Sequence, residues 1–448
     1  MDLFDNDYGL ATHPLRDALY AELHSRPFHV IPSPSRVTYL AVLPGEMDSA
    51  EPFQHFQSLY GHFGQDAPAE DSVCYEADFG TLRVRREKHM EFTSYVFVNL
   101  ATAQCADPFS CTGLTQVPEL WLKNLPGTVV AAFHVAVEDA RQQPEPDLPV
   151  VKGFFEGMRL VGSSPQGGSA HVWTTFQLHS DGFGRFLIYN KKMSDSQLGR
   201  LTQRVMEIET YRLMALLGLP LARQYSSELT AMDRRLAETT SGLAAKGDLD
   251  ERLLLGKLTD MAAWVEACRA QTTFRFSATK AYHELVLNRL SELREDEVSG
   301  HLTVTEFMTR RLTPAVRTCE SIGERLENLS RRIDRVSDMM RTRVELSIQG
   351  QNQDLLASMD RRSRIQLMMQ HTVEGLSVAA ISYYTVGLLK FLMDALYDGG
   401  LVFDKSLALG ISVPVVILLV WLATRKIHKR FLALATEKAD REASEQSK

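Results

Sequence analysis

The chain has 448 residues, of which 44% are apolar and 23% are charged, and its formal net charge is −7. This length predicts more than one domain, and the composition excludes disorder over most of the chain. The negative net charge excludes a globally basic surface, so we predict no nucleic-acid partner.

The N-terminal segment and the cysteines predict that most of the chain lies in the cytoplasm. The segment MDLFDNDYGL is acidic and lacks the basic start and apolar core of a secretory signal. The five cysteines include no CxxC pair, which predicts reduced thiols and no zinc knuckle.

Residues 1–192 are predicted to form an α/β cytoplasmic domain. β-branched and aromatic residues recur in short segments separated by turn residues, as in the run VVAAFHVAV. Apolar residues at helical spacing predict helices over 14–25 and Glu51–Phe63. The predicted strands are Arg36–Leu43, Ser72–Asp78, Leu82–His89, Phe92–Asn99, Val129–Val137, Met158–Gly162, Ala170–Leu178 and Arg185–Tyr189.

Two polar segments of this domain carry residue types that serve in catalysis or metal binding. They are Glu22-Leu-His24-Ser-Arg26 and Arg85-Arg-Glu-Lys-His89-Met-Glu91. Histidine and glutamate together ligate metals or act as acid and base, and the same residues also form ordinary ion pairs and helix caps. Neither spacing matches a known signature. We therefore predict no enzyme and no resident cofactor, and leave open a bound divalent cation of unknown identity.

After the predicted strands, leucine-rich helical patterns dominate the sequence, beginning with Asp195–Arg223. We predict a helical domain over 193–313 and one long stalk helix over 314–371. The predicted breaks between helices are Gly242–Gly256, Gly300 and Pro314.

The stalk helix carries apolar residues in alternating steps of four and three, which is a heptad pattern. This pattern predicts either a seam between copies of the chain or packing within one chain. The oligomer seam candidates are Ile322, Leu326, Leu329, Ile333, Val336 and Met340.

Two adjacent apolar runs near the C-terminus are predicted to cross a membrane, since each is close to the ~20 residues that span a bilayer. The alternative is a buried helical hairpin of a soluble protein. The predicted segments are a first transmembrane helix at 372–397, a short outer loop at 398–405, a second transmembrane helix at 406–424 and a basic, then polar, cytoplasmic tail at 425–448.

Basic residues predict how this hairpin is oriented. Arg361, Arg362 and Arg364 precede the first run, and Arg425 and Lys426 follow the second. Because such residues stay on the cytoplasmic side, both termini are predicted to be cytoplasmic. The predicted fold is thus an α+β cytoplasmic domain, long helices and a C-terminal transmembrane hairpin, with the lipid bilayer of a bacterial inner membrane as a partner.

A polar stripe precedes the first run, with its members at steps of four and three along one helix face. Such a stripe lines a shared water-filled vestibule or forms the exposed face of an amphipathic helix. The pore-lining candidates are Ser347, Gln351, Asp354, Ser358 and Arg361. The outer-mouth candidates are Lys390, Asp394 and Asp398.

Three segments resemble a bacterial family of uncharacterised membrane-anchored proteins, and the likeness covers nearly the whole chain. They begin at His13, Gly199 and Arg332 and have the sequences HPLRDALYAELHSRPF, GRLTQRVMEIETYRLMALLGLPLAR and RIDRVSDMMRTRVELSIQGQNQDLLASMDRRSRIQL. This resemblance implies membrane anchorage.

The order of the predicted parts also resembles CorA-type divalent-cation channels, in which five subunits surround a pore lined by the long helix and the first span. The resemblance implies a homo-oligomeric inner-membrane ion channel or transporter that self-associates as a pentamer. The chain departs from that family at 390–400, which lacks its Gly-Met-Asn triplet. The alternative is a membrane-anchored scaffold or regulatory protein without transport activity. A membrane-bound enzyme that uses the N-terminal polar residues is a third hypothesis.

Overall fold

A computed structural model describes residues 13–16, 19–20, 30–45, 51–69, 72–101, 106–244, 251–400 and 404–445. The chain divides into two compact units, Met1–Asp338 and Met339–Lys448. The boundary between them lies inside the predicted stalk helix at 314–371. Most of the helix predicted over 14–25, including His24, lies outside the described residues.

In the first unit, the described residues form one mixed sheet of nine strands in the order β2-β3-β4-β1-β5-β8-β7-β6-β9. Neighbouring strands pair antiparallel except β5 and β8, which pair parallel. The strands are β1 Ser35–Leu43, β2 Cys74–Asp78, β3 Leu82–Lys88, β4 Thr93–Asn99, β5 Thr128–Asp139, β6 Val161–Ser164, β7 Ala170–Thr174, β8 Gly184–Asn190 and β9 Glu295–Glu297.

Most of the predicted strands are confirmed with small shifts at their ends, because the alternation of β-branched and aromatic residues fits a half-buried sheet. The predicted strand Ala170–Leu178 was wrong over its last four residues, since β7 ends at Thr174. The central strand β1 is buried along almost its whole length, since it lies between β4 and β5. The predicted strand Met158–Gly162 was largely wrong, since β6 covers Val161–Ser164 and shares only Val161 and Gly162 with the prediction. Strand β9 was missed because its sequence, Glu-Asp-Glu, carries no strand pattern and pairs only through its neighbour β6.

Helices cover both faces of this sheet. Leu198 of α4 and Leu290 of α6 belong to the core on one face, together with Met308 near the start of α7. The opposite face packs against α1, α2 and α3. The longer helices are α1 Glu51–His62, α2 Glu119–Lys123, α3 Leu148–Phe154, α4 Asp195–Leu216, α5 Gly218–Ala244, α6 Glu251–Leu293, α7 Val304–Asp398 and α8 Lys405–Glu445. A single helical turn, Pro165–Gly168, joins β6 to β7.

Three predicted helix boundaries were wrong. The pattern Asp195–Arg223 divides at Leu217 into α4 and α5. The predicted break Gly242–Gly256 is confirmed, since α5 ends at Ala244 and α6 begins at Glu251, but its predicted end is five residues too late. Pro314 lies inside α7, which begins ten residues earlier at Val304. Pro314 is exposed, so water can bond the carbonyl that the missing N–H leaves free.

The start of α7 is fixed by polar groups that sequence patterns did not reveal. The Glu295 carboxylate accepts hydrogen bonds from the backbone N–H groups of Thr305, at 2.6 Å, and Val304, at 3.3 Å. The Thr303 hydroxyl accepts another from Glu306 at 3.1 Å. A negative charge at a helix N-terminus also interacts favourably with the helix dipole, which stabilises this beginning of the long helix.

The heptad residues of α7 are buried inside a single chain. Their exposed fractions range from 1% at Leu326, Leu329, Ile333 and Met340 to 8% at Val336. In the first unit, α7 lies against α5 and α6, because Arg332 pairs with Asp233 at 2.7 Å and Arg269 with Glu327 at 3.1 Å. This structure therefore uses the seam for packing within the chain, and self-association requires a different surface.

Candidate functional site

The second unit consists of the C-terminal part of α7 and the helix α8. Both helices contain stretches long and apolar enough to cross a membrane, within Val304–Leu396 and Ser406–Ile427. Of the most apolar 18-residue stretch, only 6% is buried in α7 and 11% in α8. A core helix of a soluble protein buries such a surface, so these apolar stretches need cover from outside the chain.

Several hydroxyl groups in the apolar stretches are satisfied by their own helix, whereas the buried Ser382 hydroxyl has no hydrogen-bond partner among the described residues. Ser377 donates to the carbonyl of Val373 at 2.8 Å, and Thr385 donates to that of Ile381 at 2.7 Å. In α8, Thr424 donates to the carbonyl of Val420 at 2.9 Å. These bonds remove the cost of an unpaired hydroxyl in hydrocarbon, so Ser377, Thr385 and Thr424 do not oppose a membrane location.

The ends of the apolar stretches carry polar groups suited to a boundary with water. The Asp404 carboxylate accepts hydrogen bonds from Ser406 and Leu407 at 3.0 and 3.3 Å and so caps α8. At the other end, the Arg425 guanidinium lies 5.0 Å from the centre of the Trp421 ring. Tryptophan with an adjacent cation is typical of the interface between lipid and water.

Helix α8 is longer than the predicted second span at 406–424, because it continues to Glu445. The predicted polar tail at 425–448 is therefore helical over most of its length. Its sequence from 431 to 445 is rich in alanine, leucine, glutamate and lysine, which favour helix.

The predicted pore-lining residues lie on the part of α7 with the least cover. Every residue from 341 to 373 is exposed except Val344, which is half-buried. The exposed residues include all five pore-lining candidates: Ser347, Gln351, Asp354, Ser358 and Arg361. We call residues 341–373 the exposed segment of α7.

The polar stripe continues the register of the buried seam. Ser347, Asp354 and Arg361 follow Met340 at steps of seven residues, in the same phase as Leu326 and Ile333. Positions seven apart lie on nearly the same helix face. The face that is apolar inside the first unit is therefore polar in the exposed segment.

The predicted outer-mouth residues cluster at the end of α7. Lys390 is exposed, Asp394 is half-buried one turn later, and the exposed Asp398 is the last residue of the helix. No group of three or more His, Cys, Asp and Glu side chains that could hold a metal occurs among the described residues.

A match to one family model spans residues 11–431, and the model is described as "Protein of unknown function (DUF3422)". The chain belongs to this family. The resemblance to an uncharacterised family, expected from the three sequence segments, is confirmed. A search of curated proteins found no match.

Proposed function

We propose that this chain is a membrane protein that assembles with copies of itself and conducts ions through a path lined by α7. The exposed segment of α7 is the observation that carries this proposal. The segment belongs to the same continuous helix as the first apolar stretch, Val304–Asp398. The order of a mixed α/β sheet, long helices and an apolar helix pair also fits the resemblance to CorA-type channels.

Self-assembly is supported by the physical cost of leaving this segment uncovered. A single helix in water is marginally stable without packing. The exposed segment nevertheless presents Leu346, Leu355 and Met359 with exposed fractions of 63%, 60% and 58%. Burying one such side chain contributes about 2 kcal/mol, so contacts between several copies would stabilise the segment substantially.

A membrane location is supported by the two apolar stretches and their flanking charges. Basic residues flank the hairpin at both of its ends: Arg361, Arg362 and Arg364 precede the first stretch, and Arg425 and Lys426 follow the second. Because basic residues stay on the cytoplasmic side, both termini are favoured to be cytoplasmic. We therefore assign the chain to a bacterial inner membrane, with the segment between α7 and α8 on the outer side.

Ion conduction requires several chains, since two membrane helices cannot enclose a pore. In a symmetric assembly, each copy contributes Asp394 and Asp398 to the outer side, which raises the local concentration of cations. Lys390 opposes this effect, and the Gly-Met-Asn triplet of CorA channels is absent. The proposed substrate class is therefore cations, divalent ones included, and the resemblance implies a pentamer.

A tethering function is the second candidate, and the buried seam and Lys390 favour it. If the heptad residues pack only within one chain, the apolar helix pair can serve as an anchor. The first unit would then act as a scaffold or regulator at the membrane surface, without transport.

Ion flux into proteoliposomes separates these candidates. With full-length protein, we expect cation flux that falls severalfold in Asp398→Asn and in Asp394→Asn, because each change removes a negative charge from every copy. The matched control is Asp66→Asn, which removes the same charge from an exposed residue of the first unit. An assembled protein without flux would support the tether.

A further inference from the structure

A polar cavity of about 250 Å³ lies in the first unit, between the sheet and the helices α4 and α6. Side chains of β3 and the turn after it form one wall, and side chains of α4 and α6 form the other. The surrounding layer is the apolar core of this face of the sheet. Burying charges in such a layer is costly unless they are paired and hydrogen-bonded, so the charges that line the cavity are expected to lie in pairs.

The sheet wall of the cavity carries an arginine–carboxylate pair. Arg85 lies 3.2 Å from Glu87, and their side chains are 3% and 14% exposed. His89 lies beside this pair, with its Nε2 atom 3.1 Å from the Ser94 hydroxyl and 4.0 Å from Glu87. The sequence drew attention to Arg85–Glu91 but did not reveal the helices that face it.

The helix wall carries a second pair of the same type. Arg289 of α6 pairs with Glu207 of α4, and the Gln203 side-chain amide donates to Glu207 at 2.9 Å. Tyr211 lies nearby, and burial, followed by the charge of Glu207, raises its pKa. Among the described residues, the Gln203 Oε1 atom is buried and accepts no hydrogen bond. This wall therefore offers a carboxylate and an unused carbonyl oxygen to a donor.

These walls are complementary to a ligand that carries both charges. An anion alone would face Glu87 and Glu207, and a cation alone would face Arg85 and Arg289. The cavity volume equals that of about eight liquid waters, which is the size range of a free amino acid. We propose that the cavity binds a small zwitterion of the α-amino acid class, with its ammonium group at Glu207 and Gln203 and its carboxylate at Arg85.

Binding of this kind does not depend on ion conduction, because every residue involved lies in the first unit. Charge-assisted hydrogen bonds to both ends of the ligand give the site its selectivity. The amine and the carboxylic acid each lack one of the two charged ends, so each makes fewer charge-assisted hydrogen bonds to the site and binds more weakly.

Calorimetric titration of the purified full-length protein with each of the common α-amino acids tests the site. We expect at least one amino acid to bind. The amine that lacks its carboxylate and the acid that lacks its amino group should bind about tenfold more weakly or not at all. Gln203→Met keeps the side-chain length but removes the amide, both its carbonyl and the N–H group that donates to Glu207, and the affinity should fall about tenfold. The control Gln54→Met alters an exposed glutamine of α1 and should bind like the natural chain.

Thermal unfolding of each variant, measured alongside, identifies a change that acts through folding. The site is refuted if no amino acid binds to the natural chain. It is equally refuted if the deaminated acid binds as tightly as the amino acid, or if folded Gln203→Met binds with unchanged affinity. The first two of these tests use only the natural chain, so they do not depend on whether a variant folds.

Discussion

His134 of β5 shows how burial changes the chemistry of a single residue. Its ring stacks on Phe183 with the centres 4.3 Å apart, and its Nδ1 atom lies 2.8 Å from the Thr38 hydroxyl. Burial lowers the pKa of His134 from 6.5 to about 4, and Asp181 only partly opposes this effect. The histidine is therefore neutral in the folded protein near neutral pH.

This shift predicts a loss of stability in acid. Because the pKa is lower in the folded chain, the unfolded chain takes up the proton first as the pH falls. The contribution of His134 is complete above pH 6.5 and is lost progressively down to about pH 4. Its full size is on the order of 3 kcal/mol.

Denaturant unfolding followed by tryptophan fluorescence at several pH values measures this effect. We expect His134→Asn to reduce the dependence of the unfolding free energy on pH between 6.5 and 4. The exposed His62 supplies the control His62→Asn, which should keep the natural dependence. Equal pH dependence in the natural chain and in His134→Asn would contradict the assignment.

At the scale of elements, α7 passes from a packed environment to an exposed one. Up to Val336 its apolar face is covered by helices of its own chain, whereas the exposed segment carries apolar residues without such cover. If the copies assemble through this segment, Leu355 is buried in their contacts, and a buried leucine contributes about 2 kcal/mol. We therefore expect Leu355→Asp to weaken self-association by roughly 30-fold for each contact.

Sedimentation of the purified protein in detergent measures this change. The matched control is Leu120→Asp on α2, because Leu120 is 71% exposed and belongs to the first unit. We expect Leu120→Asp to keep the natural mass and Leu355→Asp to shift the protein toward single chains. The same mass in both variants would remove the exposed segment as the assembly surface.

The sequence predicted those elements whose pattern is local. The alternation in β1 and the uncharged runs in α7 and α8 each specify a structure by themselves. The heptad of Leu326 and Ile333 specified a buried face but not its partner, because a helix of the same chain and a helix of a second copy cover such a face equally well. Likewise, Gln203 and Arg289 meet the sheet wall only through the folded arrangement of three elements.

At the scale of the whole molecule, the two units differ in how their apolar residues are covered. The first unit buries its core between its own sheet and helices. The second leaves most of its apolar surface exposed, from the exposed segment of α7 to Ile427 of α8. In the proposed assembly, lipid would cover the apolar stretches and copies of the chain would cover the exposed segment.

The mass of the intact assembly tests this account most directly. Native mass spectrometry of the purified full-length protein, released from detergent, counts the chains in each particle. We predict a single closed oligomer, a pentamer by the resemblance to CorA-type channels, and no lasting population of single chains. A particle of one 448-residue chain would contradict the shared path and leave the membrane tether.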